Sequence, residues 1–237
     1  MELLKRDGSG FELPVNPMMT KVELNTFDIK NLDLVPILFQ TGYLTIDKMI
    51  KPGEYLLRRP NKEVNEAIDS NFLNFLLGQK TKTVNQLIER LQKALENLDS
   101  ISLGACFHDI LAWNSHMALK ASEGAAHAII HSVLKAMHFN VVSEVTESEG
   151  VIDFLITTRE DTVFVCEFKY EKLDPKENET TEALEVRRQA LLLKALNKAK
   201  DQIEFKRYAD RYKSEYQMVK LVAVGIVGRT DVVLEIY

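Results

Sequence analysis

An α/β fold with a mixed sheet flanked by helices, preceded by a mainly helical region, is what this sequence predicts. Three observations carry that expectation. From Ser122 the apolar pattern runs helix, strand, strand, strand, helix, strand, strand. The stretch 219–227 is almost continuously apolar, which suits a central strand covered on both faces. Before residue 120 the apolar residues mostly follow the spacing of amphipathic helices. The expected organisation is a mainly helical region with a small hairpin at 1–119 and an α/β domain at 120–237.

Residues 1–30 read as irregular, with "DGSG" and "PVNP" as turn signals. "LVPILFQTGYLTI" (34–46) predicts a short helix, a break at Gly42 and a strand, and "GEYLLRRPN" (53–61) its hairpin partner. Asn61 after Pro60 is a natural N-cap for a helix over 62–77. Val84, Leu87, Ile88, Leu91, Ala94, Leu95 and Leu98 form the stripe of an amphipathic helix, expected to pack against the α/β domain. A further helix is expected over 103–118. Next comes the helix "SEGAAHAIIHSVLKAMHF", with strands at 140–146, 151–158 and 162–169. A polar loop, "LDPKENET", leads into a long helical stretch over 180–214, and "VKLVAVGIVG" and "VVLEI" supply the last strands.

The chain has 237 residues, 46% of them hydrophobic and 27% charged, enough for one large domain or two small ones. No apolar run approaches the roughly 20 residues that span a bilayer. The N-terminus has no apolar h-region, so a cytoplasmic protein without a signal peptide or membrane contact is expected. Cys106 and Cys166 lie in apolar segments without CxxC spacing and read as buried free thiols. A net charge of −5 argues against a nucleic-acid partner unless bases cluster locally or metal ions offset the acids. Arg187, Arg188, Lys194, Lys198, Lys200, Lys206, Arg207, Arg211 and Lys213 do cluster in one helical stretch. Glu182, Glu185, Asp201 and Glu204 are interleaved with them, so contact surface and solvated helix face stand as equal readings.

The hairpin "GVIDFLITTREDTVFVCEFKY" (150–170) carries three charged residues among Val, Ile and Phe. Side chains alternate along a strand, so Val163, Val165, Glu167 and Lys169 share one face and Phe164, Cys166 and Phe168 the other. Asp153, in the neighbouring strand, is expected near Glu167. Two carboxylates so placed repel unless a cation sits between them, and oxygen ligands suit Mg²⁺ or Mn²⁺. A strand-end salt bridge is the plainer reading of Glu167 and Lys169 alone. Counting back along the helix from Ile130 and Ala126 places Glu123 on the core-facing side, where a carboxylate needs a partner.

Gly150-x-x-Asp153 followed by Glu167-x-Lys169 resembles the PD-(D/E)XK nuclease superfamily, with its restriction-endonuclease-like core. "SEGAAHAIIHSVL" resembles that family's helix with its leading acid at Glu123, "ALNKAKDQIEFKRYADRYKS" its later helix with Gln202 and Tyr208, and "VKLVAVGIVG" its closing strand. More narrowly, "LVPILFQTGYLTI", "YLLRRPNKEV" and "EGAAHAIIH" resemble bacterial AAA-ATPase-like proteins that end in such a nuclease domain. The chain reads as the rear portion of such a protein, its ATPase a separate partner if present. "GQKT" (78–81) is no Walker A loop, so ATP hydrolysis is not expected. Relatives commonly carry Arg after the motif glycine, where this chain has Val151.

The resemblance implies metal-dependent phosphodiester hydrolysis of nucleic acid, with DNA the expected substrate. Asp153, Glu167 and the Phe168 carbonyl would hold Mg²⁺ or Mn²⁺, and Lys169 would act on the attacking water. Glu123 would tune a second metal or a bridging water, and Gln202 would orient the site or touch the phosphate backbone. The competing reading is a nuclease-fold module that binds or regulates with a partner protein and does not cut.

His127 and His131 stand i, i+4, but Ala128 replaces the glutamate of the zincin pattern, and ordinary helix histidines are expected. His108, Trp113 and His116 read as packing or partner contacts. Phe205, Tyr208, Tyr212 and Tyr216 read as core rather than as a base-stacking platform.

Overall fold

Side chains set the start of four helices. Asn61, Asp99, Ser122 and Thr180 each accept a hydrogen bond from a first-turn amide, those of Val64, Ser102, Ala125 and Ala183. The computed structural model describes residues 16–25, 34–114, 122–147, 150–158, 161–174, 176 and 179–237. The chain divides into two compact units, 1–72 and 73–237, with helix α3 (Lys62–Leu77) running through the division.

In the first unit, β1 (Met18–Thr20), β2 (Thr45–Lys51) and β3 (Glu54–Arg58) form an antiparallel sheet in the order β1-β3-β2. Helices α1 (Lys21–Asn25) and α2 (Leu34–Gln40) complete it around buried Leu24, Leu44 and Leu57. The expected hairpin is therefore one strand short of the observed sheet, and residues 18–25 are not irregular. Three residues of β1 are too few to show a period in the sequence. "DGSG" and the first residues of "PVNP" lie outside the described residues.

The second unit is built on a five-stranded sheet in the order β4-β5-β6-β7-β8. Its strands are β4 (Asn140–Glu147), β5 (Gly150–Thr157), β6 (Thr162–Glu171), β7 (Met218–Val227) and β8 (Asp231–Ile236). All neighbours run antiparallel except β6 and β7, which pair in parallel from Thr162↔Met218 to Glu171↔Val227. A parallel pair needs a long crossover, here α7 (Thr181–Lys206) and α8 (Ala209–Tyr212). On one face α7 packs its Leu196, Ala199 and Ile203 over Ala223. The other face receives α5 (Ser100–Trp113), stacked by Phe107 on Phe168, and α6 (Glu123–Ala136). Helix α4 (Thr81–Glu96) packs on α5 with Val84, Leu87, Leu91, Ala94 and Leu95 buried. This is the mixed sheet flanked by helices that the sequence predicts, and both cysteines are buried and free.

Two helix bounds differ from expectation. The stretch 180–214 is not one helix: Arg207 takes a left-handed conformation (φ 52°) and ends α7. Helix α5 starts at Ser100 under the Asp99 cap and runs to Trp113; residues 115–118, with His116, lie outside the described residues. The basic residues of α7 and α8 are also less available than their number suggests. Arg187 pairs with Glu179, Arg188 with Glu185 and Asp231, Lys194 and Lys198 with Glu171, and Lys200 with Glu235.

Candidate active site

The site lies where two strands part. The β5–β6 ladder runs from Thr157↔Val163 to Phe154↔Cys166 and stops there, one step before Asp153 would face Glu167. On the other side of β5 the register passes from Ser143↔Phe154 to Val145↔Ile152, and Glu144, opposite Asp153, has φ 53°. The backbone is thus irregular on both flanks of Asp153.

Side chains occupy the positions the ladder has left. The amide of Phe168 donates to Asp153 Oδ2 at 2.7 Å, and the amide of Tyr170 donates to Glu123 Oε2 at 3.1 Å. Lys169 Nζ donates to Glu167 Oε1 at 2.5 Å and to the Phe168 carbonyl at 2.9 Å, with Glu123 Oε1 3.9 Å away. Asp153, Glu167, Lys169 and Glu123 therefore converge, brought together by β5, β6 and the first turn of α6.

Glu167 is the most enclosed of these groups, 1% exposed, and its Oε2 is buried with no hydrogen-bond partner among the described residues. Burial and the charge of Asp153 push its pKa up to about 7, against the pull of Lys169. Burial pulls the Lys169 pKa down, but its bond to Glu167 and the surrounding carboxylates outweigh this and raise it. In this arrangement Lys169 Nζ is a hydrogen-bond donor to Glu167 and to the Phe168 carbonyl.

Glu123 reaches the site by a different route from the one its helix phase suggests. It is the first residue of α6, its side chain 45% exposed, so no earlier turn covers it. Its partners are the Tyr170 amide and Lys169, not the core. Gln202 does not touch the carboxylates among the described contacts. It hydrogen-bonds Tyr208, whose hydroxyl donates to the Val151 carbonyl at 3.0 Å, two residues before Asp153.

That hydroxyl sits where a side chain on Gly150 would begin. A Cβ there would lie 2.7 Å from Tyr208 Oη, at a φ of 154°. Gly150→Ala should therefore lower stability by about 1–3 kcal/mol. In a double-mutant cycle, Tyr208→Phe should relieve part of that cost, and strict additivity in thermal melts would contradict the contact.

The oxygens present fit a divalent cation. Two carboxylates and a carbonyl form a hard-donor set, one carboxylate oxygen is buried without a partner among the described residues, and an ammonium already bridges two of the three groups. No cluster of three or more His, Cys, Asp or Glu able to hold a metal occurs among the described residues, so water would have to complete such a shell. His131 joins no such cluster, and its ring lies against Phe154. The sequence reads His127 as an ordinary helix histidine, yet its Nε2 lies 3.1 Å from the Asp153 carbonyl. A histidine's place on a helix gives no signal of a backbone partner on another element.

Residues 121–236 match the family model of the PD-(D/E)XK nuclease superfamily. The chain is also similar to a curated protein of Azotobacter chroococcum mcd 1, described as an uncharacterized protein in the vnfD 5′ region. The two are 24% identical over 217 residues, covering 87% of this chain and 37% of the relative, so the chain spans little more than a third of that protein's length. No solved structure matches. The family match and the mixed sheet between helices agree on a restriction-endonuclease-like core for this segment. No helix among the described residues is long and apolar enough to cross a membrane.

Proposed function

We propose that residues 120–237 act as a metal-dependent nuclease that hydrolyses phosphodiesters of DNA in the bacterial cytoplasm. The observation that carries this reading is the parted β5–β6 pair, which gathers Asp153, Glu167, the Phe168 carbonyl and Lys169 at one point. Asp153, Glu167 and the Phe168 carbonyl would hold Mg²⁺ or Mn²⁺. Bound there, the ion would polarise a phosphoryl oxygen and lower the pKa of water. Asp153 keeps its carboxylate aimed by accepting from the Phe168 amide. Lys169, cationic and a donor, can orient the attacking water and offset charge growing on the phosphate. Glu123 holds the Tyr170 amide and balances Lys169. Gln202 acts through Tyr208 on the start of β5. A separate ATPase partner agrees with the narrower resemblance.

Calorimetric titration with Mn²⁺ tests the site directly. Wild type should bind and Glu167→Ala should not; equal heats from both would remove the metal site from the reading.

The ion pairing of the α7 bases favours a second reading, a nuclease-fold module that does not cut, because Arg187, Arg188, Lys194, Lys198 and Lys200 already face carboxylates rather than standing open to a phosphate backbone. Plasmid and single-stranded DNA incubated with Mg²⁺ or Mn²⁺, against chelator, separate the two: chelator-sensitive nicking supports the nuclease.

A further inference from the structure

Three features of His127 place it among the parts that hold the site. It stands one turn after Glu123 on α6, so both side chains leave the same face of the helix. Its Nε2 meets the carbonyl of Asp153 at 3.1 Å, where the β5–β6 ladder has already stopped. Its ring lies 4.3 Å from that of Phe154 and edge-on to Phe168 at 6.1 Å, the residues after Asp153 and after Glu167. A carbonyl can only accept, so Nε2 carries the proton.

From this geometry we infer that His127 is a positioning residue of the candidate site, fixing the Asp153 main chain so that its carboxylate faces the Phe168 amide. The role as a metal-site support rests on the proposed nuclease reading; the hold on Asp153 does not. The carboxylate of Asp153 hangs on a backbone that has lost its strand partner in β6, and Glu144 opposite is held out of regular strand geometry. The His127 hydrogen bond supplies a fixed point from a third element. The rings of Phe154 and Phe168 pack against the imidazole, one tilted and one edge-on, and so limit how far it can turn about that bond.

Two variants and two readouts test it. His127→Phe keeps the ring packing and removes the donor, while His127→Gln places an amide donor near the position of Nε2. Amide hydrogen exchange at Phe168, followed by NMR, reports the Asp153 carboxylate without any metal. It should quicken about tenfold in His127→Phe, the worth of one hydrogen bond, and stay near wild type in His127→Gln. Mn²⁺ affinity from calorimetry should fall about tenfold or more in His127→Phe and recover in His127→Gln, as for outer partners of metal ligands. Unchanged Phe168 exchange in His127→Phe overturns the inference, as does equal loss in both variants. His127→Gln alone suffices if His127→Phe does not fold, because lost Phe168 protection in a folded His127→Gln contradicts the role of the donor. Loss of protection in His127→Phe with rescue by His127→Gln, in a wild type that binds no Mn²⁺, supports the positioning role and sinks the metal reading alone.

Discussion

Lys169→Met should leave a folded protein that nicks DNA at least about a hundredfold more slowly than wild type. The ammonium is bonded to Glu167 and to the Phe168 carbonyl, and a thioether supplies neither charge nor donor. The same substitution should tighten Mn²⁺ binding. At rest the ammonium occupies two of the oxygens that a metal would take, so a cation entering the site must displace or repel it. Loss of cleavage with gain of affinity is a combination that general unfolding cannot produce. Nicking and calorimetry on one preparation check it. Cleavage surviving in Lys169→Met would assign the activity to another group or a contaminant.

The second large effect is on stability. Gly225 of β7 pairs with Lys169 of β6, and α7 crosses directly over it. A Cβ at Gly225 would lie 2.7 Å from the amide nitrogen of Leu196 and 2.9 Å from the carbonyl oxygen of Leu192. Both atoms belong to the helix backbone, so no rotamer change relieves the overlap and the whole helix must move. Gly225→Ala should therefore cost about 3 kcal/mol, the upper end of overpacking penalties. For a unit of this size that is a fall of roughly 6–12 °C in Tm. A melting temperature within about 2 °C of wild type would show that α7 rides higher on the sheet than described.

The sequence made the α/β core legible because each piece has its own period. The apolar run 219–227 is β7, strand alternation separates Val163, Val165 and Glu167 from Phe164 and Phe168, and Asn61 and Ser122 announce their helices. The convergence of Asp153, Glu167 and Lys169 was readable from the same alternation and from the resemblance together. What could not be read was the backbone. Nothing in the residues says that the β5–β6 ladder ends at Phe154, so the amides of Phe168 and Tyr170 and the carbonyl of Asp153 could not be foreseen as groups needing partners. Glu123 and His127 serve those groups from α6. For the same reason Glu123 was expected in the core: a helical count gives a direction, but at the first residue of a helix there is no preceding turn to close over it. The break at Arg207 has the same character, a single left-handed residue inside an otherwise unbroken helical composition.

Glu123, His127, Asp153, Glu167 and Lys169 all lie on α6, β5 and β6, in one continuous stretch of chain. The one parallel pair among the described strands, β6 with β7, must instead wait for α7 and α8 to bring Met218 back to Thr162. Closing a long loop costs more entropy than closing successive hairpins, so the order of folding is written into the topology. The antiparallel segment with its charged cluster can assemble early, and docking of β7, with Gly225 seated under the crossover helix, completes the sheet late.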